Sequence, residues 1–268
     1  MIVSCSTYGY RFLTIEGTLR RIANLGFEAV DIMATRPHFL PADYEDIESI
    51  RKLLKRLKLK VSAITAFDGH PQWHLSASNK RCREDTIEHV KACIELANTL
   101  GTNIVQVITG MPLIQDIPFR KSWDYAKQSL KICAEYASRY GIILALEGEE
   151  NNVVRTSQDI LHMLEEVNHP NCRALLEVGH ANMMATDDPI CAIAALSEAI
   201  VHCHIHDNAG ISDEHSVPGD GTVYWKGVLK SLREIGYEGY LALELLVANA
   251  DEGSVRGKNY IESQMNTL

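Results

Sequence analysis

The chain has 268 residues, 46% hydrophobic and 23% charged, with a formal net charge of −9. That length and apolar content suffice for one large core spanning residues 1–268, and the acidic balance argues against a nucleic-acid-binding surface. Seven scattered cysteines without a C-x-x-C pair argue against a disulfide framework or a thiolate zinc site, and no apolar run approaches the roughly 18 residues of a membrane span.

The opening M-I-V-S-C-S has no basic stretch before its apolar residues, so the expectation is a soluble cytoplasmic protein that does not associate with membranes. Short β-rich runs then alternate with longer segments of helical period. Strands are predicted over Ile2 to Ser6, Ala29 to Met33, Lys60 to Ala66, Asn103 to Thr109, Ile142 to Glu147, Arg173 to Val178, Ile200 to His206 and Tyr240 to Leu246. Helices are predicted between them, over Ile15 to Leu25, Asp43 to Leu57, Lys80 to Leu100, Phe119 to Tyr140, Ser157 to Val167, Pro189 to Glu198 and Trp225 to Ile235. Gly26, Gly101, Gly141 and Gly236 follow four of these helices, where a left-handed residue ends a helix most cheaply. The alternation predicts an α/β protein, a single (β/α)8 TIM barrel, with its active site at the C-terminal ends of the strands.

Polar residues at those ends carry the chemistry. The fifth strand ends L-A-L-E147, the sixth A-L-L-E177, and the eighth reads L-A-L-E244, each placing a glutamate after an apolar run. The seventh, I-V-H-C-H-I-H-D, carries His202, His204 and His206 at alternate positions, hence on one face. Any one of these imidazoles could be a strand residue satisfied by backbone, and any one glutamate a solvated strand end. Glu147 and Glu244, however, interrupt Leu-rich strands where burial is expected, and a buried carboxylate must be paired or bind metal. Three glutamates and His204 would converge at the barrel mouth, and such a set suits Mn2+, Mg2+ or Co2+ ahead of Zn2+.

The runs E-V-G-H-A-N, H-C-H-I-H-D-N, D-E-H-S-V-P-G-D-G and G-Y-E-G-Y-L-A-L-E resemble the xylose isomerase-like TIM-barrel superfamily, and T-R-P-H-F near the second strand, E-E-N-N-V-V after the fifth and S-D-E-H-S-V-P-G-D-G with G-Y-E-G-Y carry a closer likeness inside it. Within it the chain is most similar to fructoselysine 3-epimerase and the tagatose/psicose 3-epimerases. The resemblance implies one divalent metal ion held by Glu147, Glu177, His204 and Glu244. It also implies 3-epimerisation of a ketose or ketose derivative through a cis-enediolate, with Glu147 and Glu244 as acid and base. By the same analogy His180 and Glu150 hold the O1/O2 end of a small-molecule sugar, and family members often form homodimers or homotetramers. Arg155, Trp73 and His206 are further candidates for substrate contacts, and His215 is expected at the pocket mouth, ordered with Asp213 against the eighth strand. Three departures bear on the site: Glu177 stands where the family usually has Asp, Gly148 follows Glu147 in place of Pro, and the loop to Glu150 is shorter.

The same metal and carboxylates could serve an aldose-ketose isomerase or an inosose-type dehydratase. An apurinic endonuclease is a more distant alternative, because Asp213-x-His215 and Glu177-x-x-His180 resemble its zinc-binding pairs. It is disfavoured by the charge and by V-I-T-G-M-P, which ends the fourth strand without a histidine. A non-catalytic sugar-binding relative would have no need of two buried glutamates beside a ligand histidine.

Overall fold

The computed structural model describes residues 1–43, 46–67, 73–111, 117–184 and 186–268. Eight strands, β1 (Ile2–Ser6), β2 (Ala29–Met33), β3 (Lys60–Thr65), β4 (Ile104–Val107), β5 (Ile143–Leu146), β6 (Cys172–Glu177), β7 (Ile200–Ile205) and β8 (Tyr240–Leu243), form one closed barrel in chain order. Every neighbouring pair is parallel, and β1 closes on β8 with Ile2 opposite Tyr240 and Cys5 opposite Leu243. The fold is the expected (β/α)8 TIM barrel.

The helices around it are α1 (Ile15–Asn24), α2 (Ile47–Leu57), α3 (Lys80–Leu100), α4 (Phe119–Ser138), α5 (Ser157–Val167), α6 (Val178–Met183), α7 (Pro189–Leu196), α8 (Trp225–Glu234) and α9 (Ala250–Met265). Local chemistry fixes where several begin. Thr156 and Asp159 form a reciprocal capping box on α5, Asn79 accepts from the Arg81 and Cys82 N–H groups at the start of α3, and Asp188 caps α7 ahead of Pro189. The glycines after the helices have φ between +67° and +84°, as expected for residues that end a helix in left-handed geometry.

Two differences from the sequence expectation have physical causes. The second helix begins at Ile47 and not Asp43, because the Asp46 side chain accepts from the Ser49 N–H and caps it there; residues 44 and 45 of the expected span lie outside the described set. Helix α9 was not expected, since Gly253 and Gly257 lower its intrinsic propensity. Packing explains them: a Cβ on Gly257 would stand 3.0 Å from Leu243 Cδ2, and one on Gly253 would stand 2.7 Å from Val247 Cγ2. The glycines bring the last helix close against the barrel.

Alternate residues of each strand face the helices or the barrel axis. Outward residues such as Leu144, Leu146, Leu176, Cys203, Leu241 and Leu243 join the main core with the helices. Inside, Ala63, Ile104, Ala145 and Leu175 form a separate small cluster. Ala145 and Leu175 precede Glu147 and Glu177 by two residues and share their face, so this apolar floor underlies the carboxylates.

Candidate metal centre and active site

Backbone pairing carries the site residues into place. Glu177 on β6 is the register partner of His204 on β7. Glu147 and Glu244 each stand one residue beyond their strands, yet the Glu147 N–H still donates to Val107 O at 3.0 Å and the Glu244 N–H to Ile205 O at 3.1 Å. The ladder therefore aims all four side chains into one mouth. One donor atom from each of Glu147, Glu177, His204 and Glu244 lies within 4.8 Å of the others, and all four residues are buried.

The donor set fits a divalent cation. His204 Nδ1 lies 3.5 Å from Glu244 Oε2 and 3.8 Å from both Glu147 Oε2 and Glu177 Oε2. His204 Nδ1 and Glu177 Oε2 are buried and have no hydrogen-bond partner. Buried polar atoms left without a partner in this way are costly unless something polar or charged completes them. Without a cation, burial pushes the Glu177 carboxyl up to about 8, only partly offset by His180 and His204. Burial likewise raises Glu147, whereas at Glu244 burial is outweighed by the adjoining His204 together with His215, which hold its carboxyl low. Three carboxylates at one point call for positive charge.

A second cluster adjoins this one. His180 on α6, His206 after β7, and Asp213 and His215 on the following loop also bring one donor atom each within 4.8 Å. Each histidine is anchored by backbone: His180 Nδ1 donates to Gly148 O at 3.1 Å, His206 Nδ1 to Asp207 O at 3.2 Å, and His215 Nδ1 to Glu244 O at 2.7 Å. Their Nε2 atoms then lie 3.2–3.5 Å from the Asp213 carboxylate oxygens. His206 stacks on His215 with centroids 3.9 Å apart, and Gly179 makes room for it, since a Cβ there would meet the His206 ring at 2.0 Å. Burial lowers an imidazole, but Asp213 and the nearby glutamates outweigh it and push His180 up to about 10 and His215 to about 9.

The loop that carries Asp213 and His215 hangs on Asp207. Its carboxylate accepts from the Gly219 N–H and the Trp225 indole at 2.8 Å each, the Asn208 N–H at 3.0 Å and the Val223 N–H at 3.1 Å. His215 is tied to the strand-eight end through the Glu244 carbonyl and through the Leu246 N–H, which donates to His215 O at 2.9 Å.

The pocket over the centre is lined by Tyr8, Phe67, Gln106, Glu147, Glu149, His180, Asp213, His215 and Glu244, with Ile108. Not every expected contact reaches it. Glu150 is exposed and accepts from the side-chain amide of its neighbour Asn151, while Glu149 is the carboxylate that turns inward. Asn152 holds it there: its amide donates to Glu149 Oε2 at 2.6 Å, and its N–H to Glu149 O at 2.9 Å. Arg155 is exposed and pairs with Asp159 at 3.3 Å, and Trp73 stacks on His89 at 4.3 Å, outside the lining; the Asp68 to Gln72 stretch before Trp73 lies outside the described residues. His206 is buried beneath the lining.

Besides Glu149, two polar residues beside the four convergent side chains were not expected from sequence. Gln106 on β4 donates to Glu147 Oε2 at 2.5 Å. Asp31 on β2 is fully buried behind His204, where contacts with His202 and His204 outweigh burial and hold its carboxyl below the usual range.

The chain matches the xylose isomerase-like TIM barrel family over residues 19–264 and belongs to it. Among its relatives, the fructoselysine 3-epimerase of Shigella flexneri is 26% identical over 263 residues, covering 96% of this chain and 94% of that protein. An inosose dehydratase of Geobacillus thermodenitrificans is 21% identical over 284 aligned positions, covering 93% and 89% respectively. The crystal structure of a D-tagatose 3-epimerase-like protein superposes with a TM-score of 0.89 at 24% identity, covering all of this chain and 98% of that one, which is a likeness of fold. The relatives are thus sugar 3-epimerases, with inosose dehydratases further off. Among the described residues no helix is long and apolar enough to cross a membrane.

Proposed function

We propose that this chain is a divalent-metal-dependent epimerase that inverts C3 of a ketose or ketose derivative, with Glu147 and Glu244 as its acid/base pair. The observation that supports this reading is the convergence of Glu147, Glu177, His204 and Glu244 from four consecutive strands, with two donor atoms left unpartnered inside the protein. The bound ion, Mn2+, Mg2+ or Co2+ by the oxygen-rich donor set, would supply Lewis acidity that makes the C3 proton more acidic.

The chain's own groups do the rest. One of Glu147 and Glu244 removes the C3 proton and the other returns a proton from the opposite face, the substrate passing through a cis-enediolate. Gln106 orients Glu147 through its amide. His180, His215 and Glu149 face the pocket and bind substrate hydroxyls, with His206 supporting His215 from beneath. The described lining contains no Lys or Arg, which favours a substrate without a phosphate group.

A panel of ketoses and amine-linked ketoses, incubated with protein stripped by EDTA and then restored with Mn2+, tests this. C3-epimeric pairs should interconvert only with metal, and Glu147→Gln and Glu244→Gln should each lower kcat by about 10²–10⁴-fold. Failure of the restored protein to interconvert any pair would count against it. Dehydration of a cyclic polyol-derived ketone is the second reading, favoured by the inosose dehydratase likeness, and its product would lack a hydroxyl.

A further inference from the structure

We propose that Asp31, together with His202, positions His204 for metal binding by fixing its ring orientation and its tautomer. The inference rests on the metal reading above and concerns residues that do not touch the ion.

Asp31 enters the barrel axis from β2, three strands around from β7. Its Oδ1 accepts from the Thr65 hydroxyl at 2.7 Å and its Oδ2 from His202 Nε2–H at 2.8 Å. The same Oδ2 lies 3.4 Å from His204 Nε2. Asp31, His202 and His204 are all fully buried, and the two rings meet edge to face at 5.3 Å and 84°. Thr65 and His202 thus clamp the carboxylate, and the His202 ring packs against that of His204.

The consequence lies in the proton on His204. A neutral imidazole carries one, and only the nitrogen without it can bind a metal. On the Nδ1 side stand Glu147, Glu177 and Glu244 at 3.5–3.8 Å; on the Nε2 side stands Asp31 at 3.4 Å. Neither nitrogen has a hydrogen-bond partner among the described residues; carboxylates face both, and a cation held among the three glutamates would leave Asp31 as the carboxylate that holds the proton. The Asp31 carboxylate favours the Nε2–H form, which turns the Nδ1 lone pair to the three glutamates. A carboxylate behind a ligating histidine also raises its basicity, and losing such a partner typically weakens metal binding by about 10–100-fold. Asp31 would otherwise be a carboxyl group held inside the barrel whose described hydrogen bonds, from Thr65 and His202, include none from a Lys or Arg.

The test is Mn2+ titration calorimetry on wild type, Asp31→Asn and His202→Gln, with thermal unfolding of each metal-free protein, and long-range proton–nitrogen NMR of the wild type loaded with Zn2+. The expected results are a Kd raised about 10–100-fold in Asp31→Asn, a smaller rise in His202→Gln, and a His204 ring protonated on Nε2 with metal on Nδ1. A residue that only supports the fold would lower the metal-free melting temperature and leave the Kd of the folded protein unchanged. Kd values within twofold of wild type in the folded variants, or a His204 proton on Nδ1, would overturn the inference; the NMR result decides it even if a variant does not fold. Wild type that binds no divalent ion would instead overturn the metal reading itself.

Discussion

Glu177 and His204 are paired across β6 and β7, and Glu177 Oε2 stands 3.8 Å from His204 Nδ1. That separation is too long for a hydrogen bond and short enough for two donors of one ion. Because strand register fixes both Cα positions, the reach of the side chain decides whether Glu177 contributes. Glu177→Asp should draw the carboxylate back by one methylene and weaken Mn2+ binding about tenfold, about 1.4 kcal/mol, by calorimetry. Unchanged affinity would mean that the β6 backbone moves to compensate.

The adjacent pair Glu149 and Glu150 separates pocket from surface. Glu149 lines the pocket and Asn152 holds it inward, while Glu150 is exposed. Glu149→Gln should lower kcat/KM about tenfold, and Glu150→Gln should stay within twofold. Steady-state kinetics with the best ketose of the panel would show it, and the reverse order would indicate that the loop refolds around substrate.

Substrate charge is the third expectation. Glu147, Glu149, Asp213 and Glu244 face the pocket without a described Lys or Arg among them. A phosphoryl group would meet carboxylates and have no fork of donors to bind it. Phosphorylated ketoses should therefore react at least about tenfold more slowly, by kcat/KM, than their unphosphorylated counterparts. Equal rates would place the phosphate outside this lining.

Away from the site, Glu166 on α5 accepts from Lys127 at 2.8 Å, Arg120 at 3.1 Å and the Trp123 indole at 3.3 Å. Lys127 first, and Arg120 and Trp123 after it, hold its carboxyl down to about 2 from the ordinary 4.5. A carboxyl lowered on folding stabilises the protein above its unfolded pKa and loses that contribution as pH falls through the folded one. Glu166→Gln should therefore be less stable at pH 7 by about 1 kcal/mol, a modest figure because the cluster is partly solvated. The gap should shrink below pH 4.5 and close near pH 2 in denaturant titrations.

Much of this site is legible in the chain. Glu147 and Glu244 stand out because each interrupts a Leu-Ala-Leu run at a strand end, and the spacing of His202, His204 and His206 matches the two-residue period of a strand. What escapes is what depends on distant partners. Asp31, within A-V-D-I-M, and Gln106, within I-V-Q-V, look like stray polar residues in strands until the barrel closes and brings His202, 171 positions away, to Asp31. Likewise the choice between Glu149 and Glu150 rests on a loop turn fixed by Asn152, which periodicity does not encode. Helix α9 was hidden by the two glycines that let it pack.

Proton exchange in D2O tests the central proposal most directly. Ketoses incubated with the Mn2+-loaded protein are followed by NMR at C1 and C3, with Glu244→Gln as control. The account predicts deuterium at C3 together with an epimeric product, both lost in the control. Exchange at C1 with aldose formation, or no exchange from any ketose in protein shown to hold metal, would contradict it.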